Sequence, residues 1–306
     1  MLQEADFALS QNSGELSIDE EDEKIQFQSG DISGEFNKKR GSFSYYKKGD
    51  TRIGRLPEPY FWRAPTDNDF GNHMPSNLGV WRTAHVNKSL EEVVVGEQSK
   101  EGLPITVKYM LKDIGVPYTL AYLIRNDGSI QVTSSIDMSG KTLPELPRFG
   151  MRMTLPGQFD QVSYYGRGPE ENYSDRKTAS FLGIWEHKAS EQKMPYIRPQ
   201  EYGNHTDTRW VKLFNESEES LVITGLQPFD FSALNIRAED MDPGLTKKQQ
   251  HPTDLSYSND ITLHIDLLQR GLGGDTSWGA YPHRPYRLHD EKYSYSFVIT
   301  IESDKK

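Results

Sequence analysis

Residues 63–71 read RAPTDNDFG, with two aspartates and an asparagine just after a proline and behind the aromatics Phe61 and Trp62. Asp and Asn side chains bond to nearby backbone and Pro presets a bend, so the stretch reads as a turn. It reads equally as the polar rim of a site. Three later stretches carry similar sets: YYGRGPEENYSDR (164–176), YIRPQEYGNHTDTRW (196–210) and GGDTSWGAY (273–281). A sugar presents an apolar C–H face and a ring of hydroxyls, which flat aromatics, planar amides, carboxylates and arginines match. The same side chains also serve as loop scaffolding, the commoner role for any single one of them.

Other chemistries lack their residues. With no cysteine, the chain has no disulfide, thiolate zinc site or cysteine nucleophile. The eight histidines fall singly, and His205 with Asp207 is the nearest approach to a metal-ligand pair. Gly271, Gly273 and Gly274 in RGLGGD lack dinucleotide spacing and read as tight turns, and no GxSxG elbow occurs. Sequons at Asn87, Asn172, Asn204 and Asn215 carry little weight without a secretion signal. A net charge of -10, from 45 acidic and 35 basic residues, opposes polyphosphate and anionic membranes as partners. Short basic runs such as Lys38-Lys39-Arg40 read as solvated edges. Neither a basic, apolar leader nor a membrane-length apolar run is present. The expectation is a soluble protein, cytoplasmic or periplasmic, with the compartment left open.

The elements that position these residues read as strands. Ile105, Val107, Tyr109 and Leu111 share one face, as do Tyr118, Leu120, Tyr122 and Ile124, and then Ile130, Val132, Ile136 and Met138. With Asn126-Asp127-Gly128 as a hairpin turn, they predict an antiparallel meander. The alternation recurs in FGMRMTLP, QVSYYG, RWVKLF, SLVITGL, ITLHIDLL and YSYSFVITIE, which predicts an all-β fold, a large antiparallel sandwich. Its 13 Phe, 5 Trp and 16 Tyr supply core area. Short helical turns are expected around residues 75–86 and 243–250. Residues 1–16 read as a linker or disordered tail and 17–306 as a single domain. The chemistry-bearing motifs fall in four long loops, 57–81, 166–178, 194–210 and 271–290.

Taken together and in order, FWRAPTDNDFG, YYGRGPEENYSDR, IRPQEYGNHTDTRWV and LQRGLGGDTSWG resemble the C-terminal domain of β-galactosidases of glycoside hydrolase family 2. The resemblance runs from about Leu16 to Glu302. It implies a galactose-mutarotase-like β-supersandwich, and a retaining enzyme whose two catalytic glutamates, about 5 Å apart, sit on a separate (β/α)₈ barrel. This chain then carries no catalytic residue and is inactive alone, either as a fragment of a longer enzyme or as the small subunit of a split one. Trp278, with Asp275, is implied to contact the aglycone sugar at the active-site mouth. Gly71, Asn72 and the following residues correspond to a movable loop, with Asp67, Asn68 and Asp69 as its positioners. Arg63, Glu171, Asn172, Tyr173, Asp175, Arg176, Glu201, Tyr202 and Asn204 are implied to support loops or the interface to the barrel. No cofactor is expected in this chain, any Mg²⁺ or Na⁺ requirement belonging to other domains. Implied partners are the catalytic barrel, the other parent domains and a β-galactoside, in a homo-oligomeric parent. Two other readings stay open: a mutarotase-like aldose epimerase using His205 with Glu171 or Glu201 as acid and base, and a carbohydrate-binding module.

Overall fold

The computed structural model describes residues 12–217, 219–276 and 278–303. Its first element is a five-stranded meander: β1 (Ser17–Glu20), β2 (Lys24–Ser29), β3 (Ile32–Asn37), β4 (Ser42–Lys48) and β5 (Thr51–Ile53), paired in chain order. These strands lie outside the alternation read from the sequence. β1 is largely exposed, β2 and β3 each place only two large apolar residues inward, and the register shift opposite Glu35/Phe36 interrupts the inward period of β4.

After β6 (Glu58–Tyr60) and the short helices α1 (Asp67–Gly71) and α2 (Met74–Asn77), an edge strand not read from the sequence, β7 (Lys88–Val95), leads into the expected meander of β8 (Gly102–Leu111), β9 (Val116–Arg125) and β10 (Ile130–Asp137). All twelve residues assigned to its inner face are buried. The chain continues through β11 (Arg148–Leu155), β12 (Gln161–Gly168), β13 (Phe181–Lys188), β14 (His205–Phe214), β15 (Glu219–Leu234), α3 (Ala238–Met241), β16 (Ile261–Gln269) and β17 (Lys292–Ser303). Every pairing is antiparallel. The large sheet runs β13-β12-β14-β15-β17-β10-β9-β8-β7, and β16, β11 and β6 branch from β15.

That branch follows from the length of β15. Residues 219–225 pair with β17, whereas residues 230–234 pair with β16. Between them the Gln227 side chain bonds both the carbonyl (2.9 Å) and the amide (3.2 Å) of Ser296, satisfying backbone where the partner changes. The result is a curled antiparallel β-supersandwich: the large antiparallel sandwich that the alternation predicts, in the form that the resemblance implies.

One hydrophobic cluster joins both sheets. Tyr122 on β9 meets Phe36 and Phe43 edge-on, with ring centroids 5.9 and 5.1 Å apart, and Tyr46 donates a 3.0 Å hydrogen bond to the Gly128 carbonyl. Of the expected linker, residues 1–11 lie outside the described residues. Within 12–16, Leu16 is buried and Asn12 accepts a 2.7 Å hydrogen bond from the Asn126 amide.

Helix placement differs from expectation in two places. The turn at Asp67 is a helical turn, and the expected turn at 243–250 does not form; the helix precedes it as α3. Pro243 disfavours helical backbone at Asp242, which is extended at φ -91°, ψ 107°. The expectation over 75–86 is met by α2 and a 3₁₀ turn, Gly79–Trp81.

Replacing Phe43 by Ala is expected to cost about 3–5 kcal/mol in urea denaturation, since it leaves a void between the sheets. Ile184→Ala on β13, with Ile184 66% exposed, is expected to change stability by no more than about 0.5 kcal/mol. Equal effects would contradict the shared core.

Candidate functional site

The four motifs converge through buried charge. Thr66 caps α1 by accepting from the Asp69 amide (3.2 Å), and the Asp69 carboxylate accepts from the Thr66 amide (3.0 Å), a reciprocal capping box. The pattern Thr-x-x-Asp is its sequence signal, obscured because no long apolar-periodic run follows. Asp69 also accepts from Arg63 (2.8 and 3.0 Å) and from Arg270 (3.0 Å). All three side chains are 0% exposed. Arg63 donates onward to the carbonyls of Arg270 and Gly271, so α1 and the start of the 271–281 loop share one anchor. Arg270 continues to Glu145 (2.8 Å), which also accepts from Arg287 (2.6 Å). Burying such charges is tolerable only with paired, hydrogen-bonded partners.

A second buried network holds the neighbouring loops. Arg148 donates to Glu201 (2.8 Å) and to Nδ1 of His264 (2.8 Å), and its Nε lies 3.3 Å from Asp266. Burial and the Arg148 charge keep His264 well below its ordinary pKa, which leaves a neutral ring able to accept. Glu171 takes hydrogen bonds from Arg176, Tyr196 and the Gly203 amide. Asn172 ties the loops backbone to backbone: its amide donates to the Asn204 carbonyl (2.7 Å) and its side chain accepts from Thr206.

Above these networks lies an open cleft of about 380 Å³, lined by Thr66, Asp67, Asn68, Asp175, Arg176, Tyr196, Gln200, Glu201, Leu272, Gly273 and Gly274. Every motif contributes to it. Asp67 is half-exposed and pairs with Lys247 (2.6 Å), while Asp175 accepts from the Gly273 amide (3.1 Å). Gly273 lies close under the Asn68 side chain, which a Cβ there would displace, approaching its Nδ2 to 2.6 Å. Clefts bordered by residues 55–59 lie at a different part of the fold and include none of the motifs.

Trp278 stands beside this group, 93% exposed. Asp275 is also exposed and pairs with His283 at 2.9 Å. Arg63, Asp69, Asn72, Asn172, Tyr173, Tyr202 and Asn204 are buried, so their reach is to other loops and not to a ligand in the cleft. Gly71 ends α1 in helical conformation, and the residue with positive φ in this segment is His73, at 62°.

His205 and Asp207 do not converge. His205 is fully buried, with Nδ1 2.9 Å from the Tyr164 hydroxyl and Nε2 2.7 Å from the Gln192 amide. Asp207 is engaged by Arg167 and Lys177. Among the described residues no group of three or more His, Asp or Glu side chains is placed to hold a metal ion. No helix among them is long and apolar enough to cross a membrane. Sequence reasoning assigned no role to Arg270, Glu145 or Arg148. Arg270 lies inside a quoted motif, but its partner 201 residues away leaves no local trace.

Residues 28–299 match the family described as the β-galactosidase small chain. A β-galactosidase of Priestia megaterium is 33% identical over 94% of this chain, and one of Halalkalibacterium halodurans is 31% identical over 94%. The chain spans only 27% and 28% of those relatives. Among solved structures, an α-galactosidase from Geobacillus stearothermophilus aligns over 94% of this chain and 41% of its own, at 8% identity and a TM-score of 0.48.

Two outcomes test the networks. Asp69→Ala strands two buried guanidiniums and is expected to cost about 3–5 kcal/mol, against no more than about 1 kcal/mol for Asp67→Ala at the surface, both by urea denaturation. Burial lowers His205 to about 3, aided by His187, itself lowered to about 4. Unfolded histidine binds a proton below about 6.5 and the folded ring does not, so their stabilisation is present above that pH and lost as pH falls toward the folded values. Burial raises Asp230 to about 7, and it acts in the opposite direction, with stability lost as pH rises through that value. His205→Phe is therefore expected to flatten the stability slope between pH 6.5 and 4. An unchanged slope would place that acid sensitivity elsewhere.

Proposed function

The chain belongs to the β-galactosidase small-chain family, and on that premise we propose that it is the accessory β-domain of a retaining β-galactosidase of glycoside hydrolase family 2. It shapes the mouth and aglycone subsite of an active site whose two glutamates lie on a (β/α)₈ barrel outside this chain. The carrying observation is Trp278: a large flat ring, 93% exposed, on a loop anchored by the fully buried Asp69, Arg63 and Arg270. A solvent-facing indole held this way offers an apolar platform to the C–H face of a sugar. Asp67, Asn68, Asp175 and Arg176 supply polar groups in the adjoining cleft.

The carboxylates around the cleft support an accessory role. Retaining hydrolysis uses two carboxyls about 5–5.5 Å apart, one as nucleophile and one as acid and base. Here Glu171 is bound to Arg176, Tyr196 and Gly203, and Glu201 to Arg148, as structural acceptors. Free-standing epimerase chemistry asks His205 to exchange protons with a sugar, and burial with both ring nitrogens occupied argues against that role.

In the enzyme assembled from this chain and its barrel-bearing remainder, Trp278→Ala is expected to raise KM for a galactosyl disaccharide roughly tenfold. KM for an aryl β-galactoside, whose aglycone is not a sugar, is expected to change far less. Parallel changes for both substrates, or no change, would remove Trp278 from the aglycone subsite.

A further inference from the structure

We propose that Tyr281 is a positioning residue that couples the Trp278 loop to the segment following Gly71, so that the placement of the exposed indole and the conformation of residues 72–78 are set together. The functional consequence rests on the aglycone reading above; the coupling itself does not.

Tyr281 meets three structures at once. Its hydroxyl accepts a 3.2 Å hydrogen bond from Nδ2 of Asn77, the last residue of α2. Its ring lies against the guanidiniums of Arg287 (4.9 Å) and Arg270 (5.6 Å), both held by Glu145. Its carbonyl crosses so close to Gly274 that a Cβ there would collide with it. One residue thus spans all three: its side chain joins the buried charge network to the segment after α1, and its backbone packs on Gly274 within the loop bearing Trp278.

Two further contacts bring the same partners together. Gly279, next to Trp278, has φ 100°, and a Cβ on it would lie 2.6 Å from the Gly71 carbonyl. Only a glycine fits this close, left-handed backbone crossing. Arg270, besides binding Asp69, reaches Oδ1 of Asn72 at 3.5 Å. The loops therefore touch at Gly71, Asn72 and Asn77, and Tyr281 supplies the contact made by a flexible, replaceable side chain.

The test is site-resolved hydrogen exchange on the full chain. Tyr281→Ala is expected to accelerate exchange roughly three- to tenfold in residues 72–78 as well as in its own loop. Asn77→Ala is expected to do the same for amides of residues 279–281, while β8 stays protected in both, which shows that the fold is kept. Tyr281→Phe, which retains the ring contact with both arginines, is expected to fall between wild type and Tyr281→Ala. Acceleration confined to the mutated loop overturns the coupling, as does none at all. In the assembled enzyme, Tyr281→Ala is expected to raise disaccharide KM severalfold and leave aryl-galactoside kcat unchanged. Reciprocal exchange without that KM split leaves the coupling standing and overturns its functional consequence, and the aglycone reading falls with it only where Trp278→Ala also leaves disaccharide KM unchanged.

Discussion

A single carboxylate, Asp69, is shared by two arginines, and none of the three side chains reaches solvent. In a low-dielectric interior none of these charges is tolerable without the others. Their geometry constrains three stretches of chain at once: the bend at Arg63, the helical turn capped by Thr66, and the strand exit at Arg270 and Gly271. Because Glu145 balances Arg270 and Arg287 in turn, the constraint extends to the segments before β11 and before β17. The cleft and the exposed Trp278 are surface consequences of that anchor.

The sheet explains why such an anchor is needed. A 16-residue strand, β15, pairs first with β17 and then with β16, so the sheet curls and branches instead of lying flat. Loops at a branch receive few ladder hydrogen bonds, and here buried side chains satisfy their backbone instead: Asn204 donates to the Asn172 carbonyl, Asn172 accepts from the Thr206 amide, and Glu171 accepts from the Gly203 amide. Polar motifs that read as sugar-binding ingredients are thus divided between two tasks. The fully buried ones brace the loops, and those around Asp67, Asp175 and Arg176 face the cleft.

Much of the fold was legible in the sequence because alternation with period two leaves little freedom: one residue of slip in β8, β9 or β10 exposes Val107, Tyr122 or Val132. The strands of the 17–53 sheet were not, because β2 and β3, though they alternate, each place only two large apolar residues inward, Ile25 and Phe27, then Ile32 and Phe36. β13 was missed because it is an edge strand with Phe181, Leu182 and Ile184 exposed, which defeats a rule based on one apolar face. At the site, residue types and order located the loops and the exposed tryptophan. The pairings of Arg148 with Glu201 and of Arg270 with Asp69 stayed hidden, since tertiary ion pairs across 53 and 201 positions have no periodicity to read.

On the proposed function, this chain completes an active site whose catalytic carboxylates lie elsewhere. The most direct test is hydrolysis of a chromogenic β-galactoside by the purified chain, alone and then mixed with the barrel-containing remainder of its enzyme. Activity only in the mixture is the predicted result. Turnover by the chain alone would contradict the account, because carboxylates assigned here to bracing loops would have to be catalytic.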